Sequence, residues 1–251
     1  MKRLLPLLTA VVMIALWVAL AARLPLALMP GPVEVARGAW ADRDTLLQAT
    51  LYTTVASLAG LGIAGTVALL VAIAFQWSEW LEVALYPYAL LVQTVPIVAI
   101  APLLVVWLGY GLPVAVASAS IVSFFPILTS VNLGLRSTGR PQVELFRFYG
   151  ATWTQELVRL RFPAALPYLF SGLRTAVGLS VIGAIVGEFV GSNGLPPSLG
   201  FVVLKSARAA DTPLTFAAIF AATSLALILF SLTRLAERRM IGRWHTGGTT
   251  E

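Results

Sequence analysis

Residues 144–163 read ELFRFYGATWTQELVRLRFP. Five charged and five aromatic side chains crowd into this stretch, with Gly150 in its middle and Pro163 at its end. The rest of the chain looks different. Of its 251 residues, 59% are hydrophobic and only 11% charged, and the mean hydropathy is +0.89. Soluble domains carry about 25% charged residues, and apolar runs of about 20 residues match the hydrocarbon core of a bilayer. The composition therefore describes an all-α integral membrane protein interrupted by one amphipathic, water-facing segment.

Outward from that segment, apolar runs place six transmembrane helices at about 4–23, 50–75, 83–108, 114–133, 165–190 and 213–234, in a single transmembrane domain, 1–251. The first run follows Lys2 and Arg3 and is longer than a secretory signal core, so it reads as a span rather than a cleaved leader. Lys and Arg orient such helices by staying in the cytoplasm. With the N-terminus inside, eleven of the seventeen basic residues fall in cytoplasmic segments and five outside, with Arg174 inside the fifth span. Both termini are thus expected in the cytoplasm of a multi-pass inner (plasma) membrane protein. The net charge of +6 reflects this orientation and the lipid surface, and calls for no nucleic acid. Without cysteine, thiol chemistry and Cys-based metal sites are absent.

Trp77, Trp80 and Trp107 stand at helix ends, as in an aromatic belt. Residues 31–49 place Val33, Val35, Ala36 and Trp40 at roughly helical spacing, which suits a short helix on the outer surface. The third span holds Pro87, Pro96 and Pro102, and the fourth Pro126. Interior prolines release backbone carbonyls that in a membrane must face protein or a wet cavity. Gln93, Thr94, Asn132 and Ser180 are therefore candidates for a translocation path, with simple packing kinks as the other reading.

Inside the quoted segment the local rules point to two short helices. The first covers Pro141–Tyr149, with proline early, where its missing N–H is tolerated. Gly150 stops it by taking a positive φ. Thr152 caps the second, Gln155 completes a capping box, and Trp153, Leu157 and Leu160 form an apolar stripe. Pro163 is expected to end that helix before the fifth span. Phe146, Phe148, Tyr149 and Trp153 either meet a partner, as exposed apolar patches rimmed by charge do, or pack on the chain's own helix ends.

This segment resembles the cytoplasmic-loop motif of binding-protein-dependent ATP-binding-cassette importer permeases: Glu-Ala-Ala, three residues, Gly, nine residues, a hydrophobic residue, two more, and Pro. Glu144, Gly150, Leu160 and Pro163 stand at matching places, while Leu145 and Phe146 replace the two alanines. Residues 92–111 and 162–192 are also similar to the nitrate, sulfonate, taurine and thiamine-precursor branch. The resemblance implies a type I importer permease (MetI-like) architecture with a cytoplasmic coupling helix pair. It implies a homodimer, a cytoplasmic ATPase dimer gripping loop 136–163, and an external solute-binding protein. The docking surface would comprise Glu144, Leu145, Phe146, Tyr149, Gly150, Ala151, Thr152, Trp153, Leu157, Leu160 and Pro163. No G-x-x-x-x-G-K-[ST] phosphate loop occurs in the chain, so ATP and Mg would be bound by the partner ATPase and no cofactor is expected here.

Two ionisable residues lie within the fifth span. Arg174, near its cytoplasmic end, can snorkel. Glu188, near its outer end, either faces the pore mouth or fixes the Gly-rich loop that follows, and it resembles a Glu of the sulfonate and taurine branch. An intramembrane enzyme is disfavoured: no Asp falls within a span, the sole His is His245 in the tail, and no H-E-x-x-H helix occurs. The remaining rival is an ion-gradient-driven secondary transporter, which usually shows repeated halves. The sequence leaves sulfonate, nitrate, taurine, thiamine precursors and riboflavin-like solutes open as cargo.

Overall fold

The structure is a computed structural model describing residues 5–26, 28–194 and 196–241. Lys2, Arg3 and Arg243 of the charge count, and His245, lie outside these. The described chain is helical: α1 (Leu5–Ala21), α2 (Pro32–Ala41), α3 (Arg43–Trp77), α4 (Glu79–Thr94), α5 (Ile97–Leu108), α6 (Leu112–Arg136), α7 (Arg140–Phe148), α8 (Trp153–Glu156), α9 (Phe162–Gly191), α10 (Leu199–Arg208) and α11 (Thr212–Ile241). A π turn, Leu157–Arg161, joins α8 to α9.

Among the described residues, four helices are long and apolar enough to cross a membrane: Arg43–Trp77, Leu112–Arg136, the continuous helix Trp153–Gly191, and Thr212–Met240. The span expected at 83–108 is not one helix. It is α4 and α5, bent by 99°. Val95 is extended there, with ψ 125°, because a residue before proline is pushed out of the helical region, and Pro96 then caps α5. Pro87 and Pro102 lie within helices that continue through them. The first expected span corresponds to α1, an apolar helix of 17 residues without a buried side chain. Its Trp17 anchors it, donating to Pro30 O at 3.1 Å and packing on Phe220 of α11.

Small residues draw α6 and α9 together. A Cβ on Gly183 would lie 2.8 Å from Ser118 O, one on Gly187 2.8 Å from the Ala115 Cα, and one on Gly172 3.2 Å from Pro126 O. Residue numbers rise along one helix as they fall along the other, so the pair is antiparallel along its length. Between apolar helices in lipid, such backbone approach supplies the packing that hydrophobicity cannot. Ser123 adds a hydrogen bond to Ala176 O at 3.2 Å. α3 runs parallel to α6, with Gly60 against Ala119 and Gln76 against Asn132.

The stretch 31–49 is helical, as the sequence suggested, but of the apolar positions named for it only Val35 is buried; Val33, Ala36 and Trp40 are exposed. Val35 joins α3, α9, α10 and α11 in a common core with Leu46, Val177, Leu199 and Ala218.

Candidate docking elbow and its polar supports

Residues Arg140–Phe148 form the first helix of the elbow, ended by Gly150 at φ +74°. The Gly150 N–H donates to Arg147 O at 3.0 Å and the Ala151 N–H to Phe146 O at 3.0 Å. These two bonds make a Schellman close, which needs the left-handed residue that glycine supplies. Thr152 and Gln155 then cap each other: Gln155 N–H meets Thr152 Oγ1 at 3.4 Å and Thr152 N–H meets Gln155 Oε1 at 2.9 Å.

Beyond this point the sequence expectation needs correction. Pro163 does not end the second helix. The chain passes through the π turn, in which the Phe162 N–H bonds Leu157 O five residues back, and continues into α9. A π turn loosens the ladder by one residue, so the missing N–H of Pro163 is absorbed without a break.

The aromatics divide. Phe148 is 84% exposed and Tyr149 79%, stacked edge to face on each other. Trp153 instead turns toward the Trp77 ring at the end of α3, centroids 6.5 Å apart. Leu157 is buried, Phe146 and Leu160 are half-buried, and Glu144, Leu145 and Thr152 are exposed. Glu144 shares a cavity of about 400 Å³ with Arg136, Arg140, Arg147 and Arg161.

Beneath the elbow lies a carboxylate that sequence reasoning missed. Glu156, 3% exposed, accepts from Arg147 Nε at 3.2 Å and Arg161 Nε at 2.7 Å. Arg161 Nη1 donates to Gln76 Oε1 at 2.8 Å. Gln76 Nε2 donates to Asn132 Oδ1 at 3.1 Å, and Asn132 Nδ2 donates to Glu82 Oε1 at 2.8 Å. Glu82 also pairs with Arg136. Asn132 was a candidate from sequence; Gln76, Glu82 and Glu156 carried no local signal.

The other candidates for a path are dispersed. Gln93 and Thr94 are exposed at the α4–α5 bend, where Thr94 Oγ1 bonds Leu91 O. Ser180 is fully buried, its hydroxyl on Val177 O. Glu188, 2% exposed, accepts from Thr53 Oγ1 and from the Gly200 N–H, both at 2.8 Å. Arg174 does not simply reach for water: it pairs with Glu237 of α11.

Residues 64–242 match the family described as "Binding-protein-dependent transport system inner membrane component". The chain belongs to this family. As a binding-protein-dependent permease it is 35% identical over 215 residues to the formylaminopyrimidine transport permease protein ThiX of Halalkalibacterium halodurans, covering 85% of each chain. It is also 35% identical to the riboflavin transport system permease protein RibX of Chloroflexus aurantiacus, covering 88% of this chain and 81% of that one. Similarity extends at 27% identity to a putative aliphatic sulfonates transport permease protein SsuC of Bacillus subtilis, over 79% of this chain and 69% of the relative. In fold, the permease resembles a chain of the inward-facing MetNI methionine ABC transporter, with TM-score 0.65 and 18% identity over 79% of this chain and 95% of that one. The permease is thus a transport subunit of an ATP-binding-cassette importer for a small solute, as the elbow motif led us to expect, rather than an ion-gradient transporter.

Proposed function

We propose that this permease is gripped at residues 136–163 by a separate ATPase and imports a nitrogen heterocycle handed over by an external binding protein. The observation that carries the docking part is the elbow itself. Two caps hold α7 and α8 about Gly150, while Phe148 and Tyr149 project, 84% and 79% exposed among the described residues. Exposed aromatic pairs beside arginines are characteristic anchors for a partner's groove. Glu144, Leu145, Ala151 and Thr152 complete the rim, and the Arg-lined cavity beside Glu144 suits an acidic side chain of the ATPase.

In this reading α1 and the bent α4–α5 pair act as two further crossings, giving six spans with both termini in the cytoplasm. A second copy of the chain completes the pore. ATP binding would draw the two ATPases together, carrying both elbows inward and tipping the spans; hydrolysis would reset them. Packed helical blocks suit that motion because they switch between discrete arrangements. Cargo of the heterocycle class is favoured over sulfonates because the pyrimidine and riboflavin permeases are the more similar relatives.

The chain has no cysteine, so a Phe148→Cys variant offers a single cross-linking point. A short bifunctional reagent is expected to join it to the ATPase in native membranes. Absence of any adduct, or labelling of the introduced thiol by an impermeant reagent added outside intact cells, would overturn the docking assignment. The ligand that co-purifies with the cognate binding protein, identified by mass spectrometry, tests the cargo: a sulfonate or an inorganic anion would refute it.

A further inference from the structure

The hydrogen-bond chain from Arg161 to Glu82 has a direction. Gln76 and Asn132 each accept from the side of the guanidinium and donate toward the carboxylate. Turning Gln76 alone would aim its NH2 at Arg161 and its oxygen at the Asn132 oxygen. Turning Asn132 alone would aim its oxygen at Glu82. A cation at one end and an anion at the other therefore fix both amides, and every polar atom in the line has a partner, the condition under which such networks rigidify. Its members come from the elbow side (Arg161), α3 (Gln76), α6 (Asn132) and α4 (Glu82), separated by up to 85 positions in sequence.

Two covalent routes leave the elbow. Residues 137–139 lead to α6, and the π turn, Pro163 and Pro167 lead to α9, where wide turns and missing donors weaken the helical ladder. Neither leads directly to α3 or α4. We propose that Arg161, Gln76, Asn132 and Glu82 form a directional strut that makes the inner ends of α3, α4 and α6 follow the elbow when the ATPase moves it. These are positioning residues, and the inference rests on the docking role argued under Proposed function.

Direction makes the strut testable by reversal. Gln76→Glu places an acceptor against the Asn132 oxygen; Asn132 must flip and then faces Glu82 oxygen to oxygen. Adding Glu82→Gln repairs the line in the opposite sense, since the amide introduced at position 82 can donate to the flipped Asn132 and still accept from Arg136. The experiment uses the complex purified with its ATPase, with spin labels at Trp80→Cys in α4 and Leu232→Cys in α11, both exposed in the unaltered chain. The probe is ATP with vanadate, and the readout is the shift in inter-label distance.

The expected result is a shift in the unaltered background, its loss in Gln76→Glu, and its recovery in Gln76→Glu/Glu82→Gln, with ATPase binding retained throughout. A shift that persists in Gln76→Glu, or a double variant no better than the single, overturns the strut. Should Gln76→Glu fail to assemble, the double variant decides: restored assembly and shift support it, neither restored refutes it. A complex of the unaltered background that shows no ATP-dependent shift overturns the docking reading as well.

Discussion

Glu188 Oε2 lies 2.8 Å from the Gly200 amide nitrogen, tying the end of α9 to the first turn of α10. Its other oxygen takes the hydroxyl of Thr53, whose Oγ1 in turn accepts the Leu199 N–H at 3.1 Å. Three helices meet at one buried carboxyl. The approach is close enough that a Cβ on Gly200 would stand 2.7 Å from the Glu188 Cβ. Of the two readings open from sequence, this geometry favours fixing the loop between α9 and α10.

Glu188→Ala is therefore expected to destabilise the protein, because the Gly200 N–H loses its acceptor out of reach of water. A buried unsatisfied polar group costs about 1–3 kcal/mol. Glu188→Gln is milder: its oxygen can keep the Gly200 bond while its NH2 donates to Thr53 Oγ1. Thermal unfolding in detergent checks the order, with Ala below Gln below the unaltered chain. An Ala variant that melts with the unaltered chain refutes the anchoring role.

The α6–α9 seam gives a contrast within one helix. At Gly187 a Cβ meets the Ala115 Cα and Ser118 Oγ at 2.8 Å, so Gly187→Ala forces the helices apart. At Gly178 a Cβ meets nothing within 4 Å, and alanine there gains about 0.5–1 kcal/mol of helix preference. Gly187→Ala is expected to lower the melting temperature and Gly178→Ala to hold or raise it. Equal behaviour of the two would contradict the close packing.

The elbow was legible in sequence because its determinants are local. Gly150, Thr152 and Gln155 act on neighbours within a few residues, and their caps depend on little else. The supports beneath it were not legible. Glu156 was assigned no role, since it meets Arg161 five positions on across the π turn, and Gln76 none because its partners stand 85 and 56 positions away. Arg174 was read as snorkelling for the same reason: Glu237 lies 63 positions away. The Pro163 error came from the opposite side. A sound local rule was overridden by a π turn, a feature without a sequence signature. The third span was read as a single helix: its prolines announced a break but not a bend of 99°.

Glu156 holds Arg147 and Arg161 together from a site almost closed to water. Removing one partner of a buried pair costs about 3–5 kcal/mol, much of it from the charge left behind. Glu156→Ala, which strands Arg161 at partial burial, is expected to lose most of that amount, while Arg147→Ala loses far less because Arg147 is largely exposed and Glu156 keeps Arg161. Proteolysis of the elbow in detergent-solubilised protein gives the readout. Faster cleavage in Glu156→Ala than in Arg147→Ala is expected, and the reverse order would refute the assignment of Glu156 as the elbow's inner anchor.

Gly150 separates backbone strain from crowding, because its φ is +74° while the space around it is empty. Any side chain fits, but an L-residue held in the left-handed region costs about 1–2 kcal/mol. Asn tolerates that region better than most residues, whereas a β-branched side chain does so poorly. Gly150→Asn should thus keep most ATP-driven uptake, Gly150→Ala should lose part of it, and Gly150→Val should lose nearly all. Gly150→Asp adds a negative charge to the proposed docking face and is expected to uncouple transport from hydrolysis with insertion intact. Uptake into vesicles, measured beside ATPase co-purification and membrane abundance for each variant, tests the series. Val transporting as well as Asn would show that the left-handed turn is dispensable, and wild-type rates in Gly150→Asp would remove the turn from the ATPase's grip.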